Sequence, residues 1–461
     1  LALAAINVPL QAFGEHQAMP KSFTTQTYPL LSAIALVAVL CLASPACAQE
    51  AAAGTPISDA TQFELEKQFS QSVVAFYPAM SKYDAARETF NELPENERGD
   101  PPVDPAIAFV DHALKLEEQN RGTRLGISIL AQLYSMAPIE PDGANARWRG
   151  RVEAIERLPE YADHELLIAF LRRLTNFHDD PKTEESLRTI IRKTSRPSNR
   201  RLAQCFLARW ILDGISLRKY TEYRMAELKR GYKPTHPNEP EWIDRQWKSC
   251  MSADRVETLY DGALVMLKEL DSETNTDSLP PLCFAKHAVY VIAQDQDKDV
   301  RRLSLREYVQ SLIFKEEHLQ RGRAADDFEI ETLEGKTWKL SEQLGKIVVI
   351  QFSFVGCGPC ERMYPKLAEL QTRYADRIQI LTVMADSKVE MTREKYAEGF
   401  MTWDVAFDGR RGPLGTRWAV RSYPQVFLIN EHGIIEATES NEDRMIDDVQ
   451  RLVQQMERGS P

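Results

Sequence analysis

From about Ala60 to Gln320, apolar residues recur at helical spacing. Leu166, Leu167, Phe170, Leu171 and Leu174 fall on one stripe, and Leu187 to Ile191 begin another. Within Arg201–Gly214, Leu202, Cys205, Phe206, Trp210 and Ile211 share a face, and Val256–Leu270 and Val300–Leu312 read as further helices. Breakers separate them at Asp180-Pro181, Arg196-Pro197 and Pro234–Pro240, and Glu95–Pro105 reads as a loop. The pattern predicts helical hairpins in a bundle or α-solenoid; no fixed-period repeat is present. Beyond residue 320 the pattern changes. Ile347–Phe352 is a short apolar run that reads as a buried strand, and Glu361–Tyr374 is an amphipathic helix with Met363, Leu367, Leu370 and Tyr374 on one stripe. Ile378–Ala385 reads as a second core strand, Thr392–Phe400 and Pro413–Ala419 as short helices, and Ile434–Ala437 as an edge strand. A last helix carries Met445, Ile446, Val449, Leu452, Val453 and Met456. The chain is therefore read as multidomain, an α-helical N-terminal region followed by an α/β domain.

A length of 461 residues allows two or three domains. The net charge of −11, with no polybasic run, argues against nucleic acid or anionic lipid as partner. Residues 1–18 precede Met19, which is read as the start. Lys21, the apolar run Leu30–Ala43 and Ala46-Cys47-Ala48 before Gln49 form a signal-peptide pattern, too short for a membrane span. The expected division is 1–48 signal peptide, 49–320 α-helical domain and 321–461 α/β domain. Export places the chain in a periplasm or bacterial cell envelope. Of 7 cysteines, Cys41 and Cys47 leave with the signal, while Cys205, Cys250 and Cys283 remain beside one close pair. Cys205 and Cys283 read as core residues. Cys283 and His287 have i,i+4 spacing, but two ligands do not make a metal site.

The close pair is Cys357-Gly358-Pro359-Cys360, between the apolar strand and the amphipathic helix. Such a position suits redox chemistry. The first sulfur meets free backbone N–H groups and the helix dipole, which stabilise a thiolate. The second, one turn on, can resolve a mixed disulfide. Pro359 lies where a missing N–H costs nothing, and Gly358 leaves room for a partner to approach Cys357. A zinc site would need a second ligand pair, and a c-type haem would need His where Glu361 stands.

The flanks resemble the TlpA/ResA-like thiol–disulfide oxidoreductases of the thioredoxin superfamily, over about Arg321–Pro461. Asp327-Phe328, Leu333-Glu334-Gly335-Lys336, Leu340-Ser341, Gly345-Lys346, Pro365 and Ser422-Tyr423-Pro424-Gln425 before Val426–Asn430 carry the likeness. The resemblance implies a thioredoxin-like fold and a cis Pro424 facing the cysteines, with Tyr423 and Pro424 shaping the client groove. Cys357 and Cys360 would be the catalytic pair, with no metal or organic cofactor. It also implies disulfide-containing client proteins, an envelope or membrane thiol donor, and a helical region free to bind protein. Three positions depart from the family: Gly356 replaces its usual Trp, Gln351 its buried acid or Asn, and Met363 an acid. A neutral Gln351 cannot accept a proton from the Cys360 thiol. The Gly-Pro dipeptide is that of reducing thioredoxins, at about −270 mV, and favours a reductant. A peroxidase of the related AhpC/TSA type is an alternative, but its Thr/Ser and Pro positions are Phe354 and Ile350 here. A non-enzymatic helical binding protein with an accessory redox domain is the other.

Overall fold

The structure is a computed structural model that describes residues 59–136, 145–174, 180–231, 234, 238–273, 303–438 and 442–459. The signal-peptide segment, the Gln49 start and the Cys283–His287 pair lie outside the described residues.

The N-terminal region is helical: α1 (Asp59–Glu92), α2 (Pro105–Gln119), α3 (Arg124–Met136), α4 (Ala146–Arg157), α5 (Leu167–Leu171), α6 (Pro181–Lys193), α7 (Pro197–Lys229), α8 (Glu239–Ser249), α9 (Ala253–Ser272) and α10 (Leu305–His318). Local chemistry sets the starts. Asp104 and Asp180 cap α2 and α6 ahead of a first-turn proline, and Ser304 and Glu307 form a reciprocal capping box on α10. The residue pairs read as breakers at 180–181 and 196–197 are thus helix entries. α7 runs 33 residues, well past the expected Gly214, because its buried face finds partners along α6, α9 and α10. The stripe at 166–174 yields only the five-residue α5; Leu174 lies beyond it, yet Leu167, Phe170, Leu171 and Leu174 are all buried. Cys205 lies in this core at 0% exposure, where burial pushes its thiol up to about 12.

The α/β unit follows: β1 (Glu329–Glu331), β2 (Thr337–Lys339), β3 (Ile347–Ser353), α11 (Gly358–Arg373), β4 (Ile378–Met384), α12 (Val389–Ala397), β5 (Asp404–Phe407), α13 (Pro413–Arg417), β6 (Gln425–Ile429), β7 (Ile435–Ala437) and α14 (Glu442–Gly459). The sheet order is β5-β4-β3-β6-β7, with β3, β4 and β5 parallel and β6 and β7 antiparallel to their neighbours. All seven residues of β3 are buried, which is why it reads as a continuous apolar run. Ile347 and Val349 pack with Met363, Leu367, Val449 and Leu452 of α11 and α14. Val348, Ile350 and Phe352 pack on the opposite face with Phe328, Trp338 and Trp418. Both sheet edges are covered. Thr332 bridges Ala406 beside β5, and the segment leaving α10 pairs with β7 through Gly322 N–H to Ile435 O at 2.8 Å.

The two regions touch. Leu319 joins the sheet-face core, Phe314 packs against it, and Arg417 lies over the Phe314 ring at 4.8 Å. Arg421 pairs with Asp213 at 2.8 Å, Arg444 with Glu227 at 3.0 Å, and Arg321 lies on the Tyr223 ring at 3.4 Å.

Candidate active site

The backbone turns out of β3 through Phe354, Val355 and Gly356 into α11. Gly356 has φ +83°, a conformation that L side chains rarely adopt, so glycine suits the position. Cys357 is the N-cap of α11, Gly358 its first residue, with Pro359 and Cys360 in the first turn. Cys357 and Cys360 are joined as a disulfide. Cys360 is fully buried, whereas Cys357 keeps 5% exposure beside an exposed Gly358. The helix therefore begins three residues earlier than the apolar stripe indicated, and both sulfurs sit on its first turn.

Tyr423-Pro424 is a cis peptide and Pro424 is buried at the start of β6. The Tyr423 ring meets Phe354 edge-on, centroids 5.3 Å apart, so the loop before Cys357 and the cis-proline loop are in contact. Burial pushes the Tyr423 hydroxyl up to about 12, which keeps it neutral at physiological pH. Among the expected site residues, Cys357, Gly358, Pro359 and Cys360 thus form one turn, and Tyr423 and Pro424 form the loop packed against its approach.

Beneath Cys360 runs a buried polar chain. The Gln351 side-chain N–H donates to the Cys360 carbonyl at 3.3 Å and to Met363 Sδ at 3.6 Å. Its Oε1 accepts from Thr382 Oγ1 at 3.2 Å, which accepts from Trp403 Nε1 at 2.9 Å. Gln351 therefore grips the backbone of the second cysteine. The register Gln351↔Thr382 across β3 and β4 explains the chain, and no local pattern marks Thr382 or Trp403.

Asp386, two residues past the end of β4, was not marked by sequence either. Its carboxylate accepts from Val355 N–H at 2.8 Å and Thr392 Oγ1 at 2.6 Å, tying the cysteine loop to α12. Glu361 accepts from Gly356 N–H at 3.1 Å and lies 3.6 Å from Lys395. The mark that could have revealed Asp386 is an acid closing an apolar strand next to the CxxC strand. Burial pushes the Asp386 carboxyl above its ordinary 3.8, against hydrogen bonds from Thr392 and Val355 and the charge of Arg410. A raised carboxyl favours the folded state most when protonated. Its contribution is full below the ordinary value and is lost as pH rises through the raised one. Asp386→Asn can accept from Val355 and donate to Thr392. We expect its urea-unfolding stability to fall less than the parent's between pH 4 and 7. Parallel curves for parent and variant would refute this account.

The AhpC/TSA family model matches residues 321–438. The thioredoxin-like protein YneN of Bacillus subtilis is 31% identical over 125 residues, covering 26% of this chain and 72% of the relative. The thiol-disulfide oxidoreductase ResA of Geobacillus thermodenitrificans is 34% identical over 128 residues, again 26% and 72%. Among solved structures, the exposed lipoprotein thioredoxin of Streptococcus pneumoniae is 26% identical with a TM-score of 0.25, covering 28% of this chain and 100% of that one. The thioredoxin domain of a Bacteroides vulgatus thiol-disulfide oxidoreductase is 23% identical with a TM-score of 0.28, over 29% and 98%. Fold, cysteine turn and relatives define a thiol–disulfide oxidoreductase of the thioredoxin superfamily. Through its C-terminal domain, the chain belongs to the ResA-like family.

Proposed function

We propose that the protein reduces disulfides of client proteins outside the cytoplasm. The observation that carries this reading is a Cys357–Cys360 pair on the first turn of α11 whose preceding loop packs on the cis-proline loop. In the reduced enzyme, a Cys357 thiolate attacks one sulfur of the client disulfide and displaces the other as a thiolate. The helix N-terminus stabilises the attacking sulfur. Cys360 then attacks Cys357 Sγ, the client leaves as a dithiol, and the enzyme is left oxidised. An envelope thiol donor returns two electrons and two protons. Gly358 and Pro359 give the client access, and Tyr423 and Pro424 present the backbone along which it lies. No step calls on a metal or organic cofactor.

The region 49–320 holds the redox domain, 321–461, and selects its client. The Leu30–Ala43 run and the Ala46–Ala48 pattern support export with a mature start at Gln49. Redox titration of the full chain against glutathione tests the direction. A potential near about −270 mV is expected of a reductant, while one near about −120 mV would make it an oxidant. N-terminal sequencing of exported protein tests the address, and an intact Leu30–Ala43 segment would refute it.

A further inference from the structure

A cavity of about 880 Å³ lies between the helical region and the redox domain. Helices α7 and α10 form one side. The segment from Trp418 to Ser422 and the β6–β7 edge form the other. Seven basic side chains line it against three acidic ones. Two of the acids are engaged. Asp213 is paired with Arg421 at 2.8 Å, and Glu436 lies 3.8 Å from Arg321. Lys219, Lys315 and Arg323 have no carboxylate within 4.0 Å among the described residues. Trp418, 1% exposed, also lines the cavity, and its buried indole N–H has no hydrogen-bond partner among the described residues.

Cations of one sign gathered in a concavity with low-dielectric walls focus a positive potential. Burial and the nearby Arg421 hold the Lys315 ammonium below its usual range, with Asp213 and Glu316 acting the other way. A ligand carrying phosphate or carboxylate groups supplies what the lining lacks, through charge-assisted hydrogen bonds from Lys and Arg. The volume falls within the roughly 300–1,000 Å³ common for small-molecule sites. We propose that this interdomain cavity binds a small multivalent anion bearing phosphate or carboxylate groups, held by Lys219, Lys315 and Arg323. None of the thiol chemistry enters this argument, so the site stands apart from the redox reading. An anion there bridges the two regions through Lys219 of α7 and Lys315 of α10 on one side and Arg323, in the segment that leads into the redox domain, on the other.

The test uses the full chain with inorganic pyrophosphate and citrate as probes, read by calorimetric titration and thermal melting. A saturable single-site heat is expected for at least one probe, with a melting rise of about 2 °C at ten times its Kd. Sodium chloride at matched ionic strength should give no such rise. Binding by pyrophosphate alone, by citrate alone or by both assigns the ligand group as phosphate, carboxylate or either. Lys315→Gln with Arg323→Gln should weaken binding at least tenfold, and Lys315→Arg should retain it. Should the double variant not fold, Arg323→Gln alone, in an exposed segment, should still weaken binding severalfold. Absence of binding by both probes at 10 mM, a concentration of about ten times a millimolar Kd, overturns the proposal. Binding undiminished in the variants does so as well.

Discussion

Cys357→Ser should abolish dithiothreitol-driven reduction of insulin disulfides, lowering turnover by roughly three orders of magnitude or more. The serine hydroxyl cannot form the mixed disulfide through which exchange proceeds. Position decides which cysteine attacks. Cys357 caps α11 and keeps some exposure beside the bare backbone of Gly358, whereas Cys360 is fully buried and its carbonyl is gripped by Gln351. Cys360→Ser should therefore still attack but should not release. A covalent adduct between Cys357 and the client should accumulate, and mass spectrometry should find it only under non-reducing conditions. Turnover surviving in Cys357→Ser, or an adduct formed through Cys360 in that variant, would reverse the assignment.

Glu227→Ala should destabilise the protein by about 3–5 kcal/mol and split its melting into two transitions. Glu227 is 4% exposed on α7, and its carboxylate accepts from Arg224 at 2.5 Å and from Arg444 of α14 at 3.0 Å. Tyr223 also donates to it. Arg224 is held a second time by Glu239 at 2.9 Å, so it keeps a partner in the variant. Arg444 also lies 3.8 Å from Asp448 and near the rings of Tyr220 and Tyr223. The variant takes the 3.0 Å carboxylate contact away from a buried guanidinium at the seam between the two regions. The first transition should fall by about 10 °C in differential scanning calorimetry. A single transition within a degree of the parent would show that Glu227 does not couple them.

The redox turn was legible because its determinants are local. An apolar run, a CxxC and an amphipathic helix lie within one short stretch, and the helix terminus that suits a thiolate is built from the same residues. The cis peptide at Tyr423-Pro424 was legible only through the likeness of its surroundings to a known family, since an X-Pro bond alone does not declare its isomer. Other elements escaped for physical reasons. β5 is four residues, Asp404–Phe407, too short to show a period; it is a strand because it pairs with β4 and is bridged by Thr332. The 166–174 stripe gave a single short turn of helix because burial satisfies its leucines without regular backbone. Gln351 looked like a lost proton acceptor; the fold shows it as the middle of a chain from Trp403 through Thr382 to the Cys360 backbone.

By itself the sequence determined the helical character of the first region, the α/β character of the second, and the cysteine turn. Each of these rests on side-chain periodicity or on chemistry between neighbours in the chain. Only the tertiary structure decided what joins the regions. Arg421 meets Asp213 across 208 positions and Arg444 meets Glu227 across 217, and the cationic cavity lies between the same two regions. An ion pair leaves no periodic trace in the chain, because its energy depends on where folding brings two charges and on how much water it removes from them.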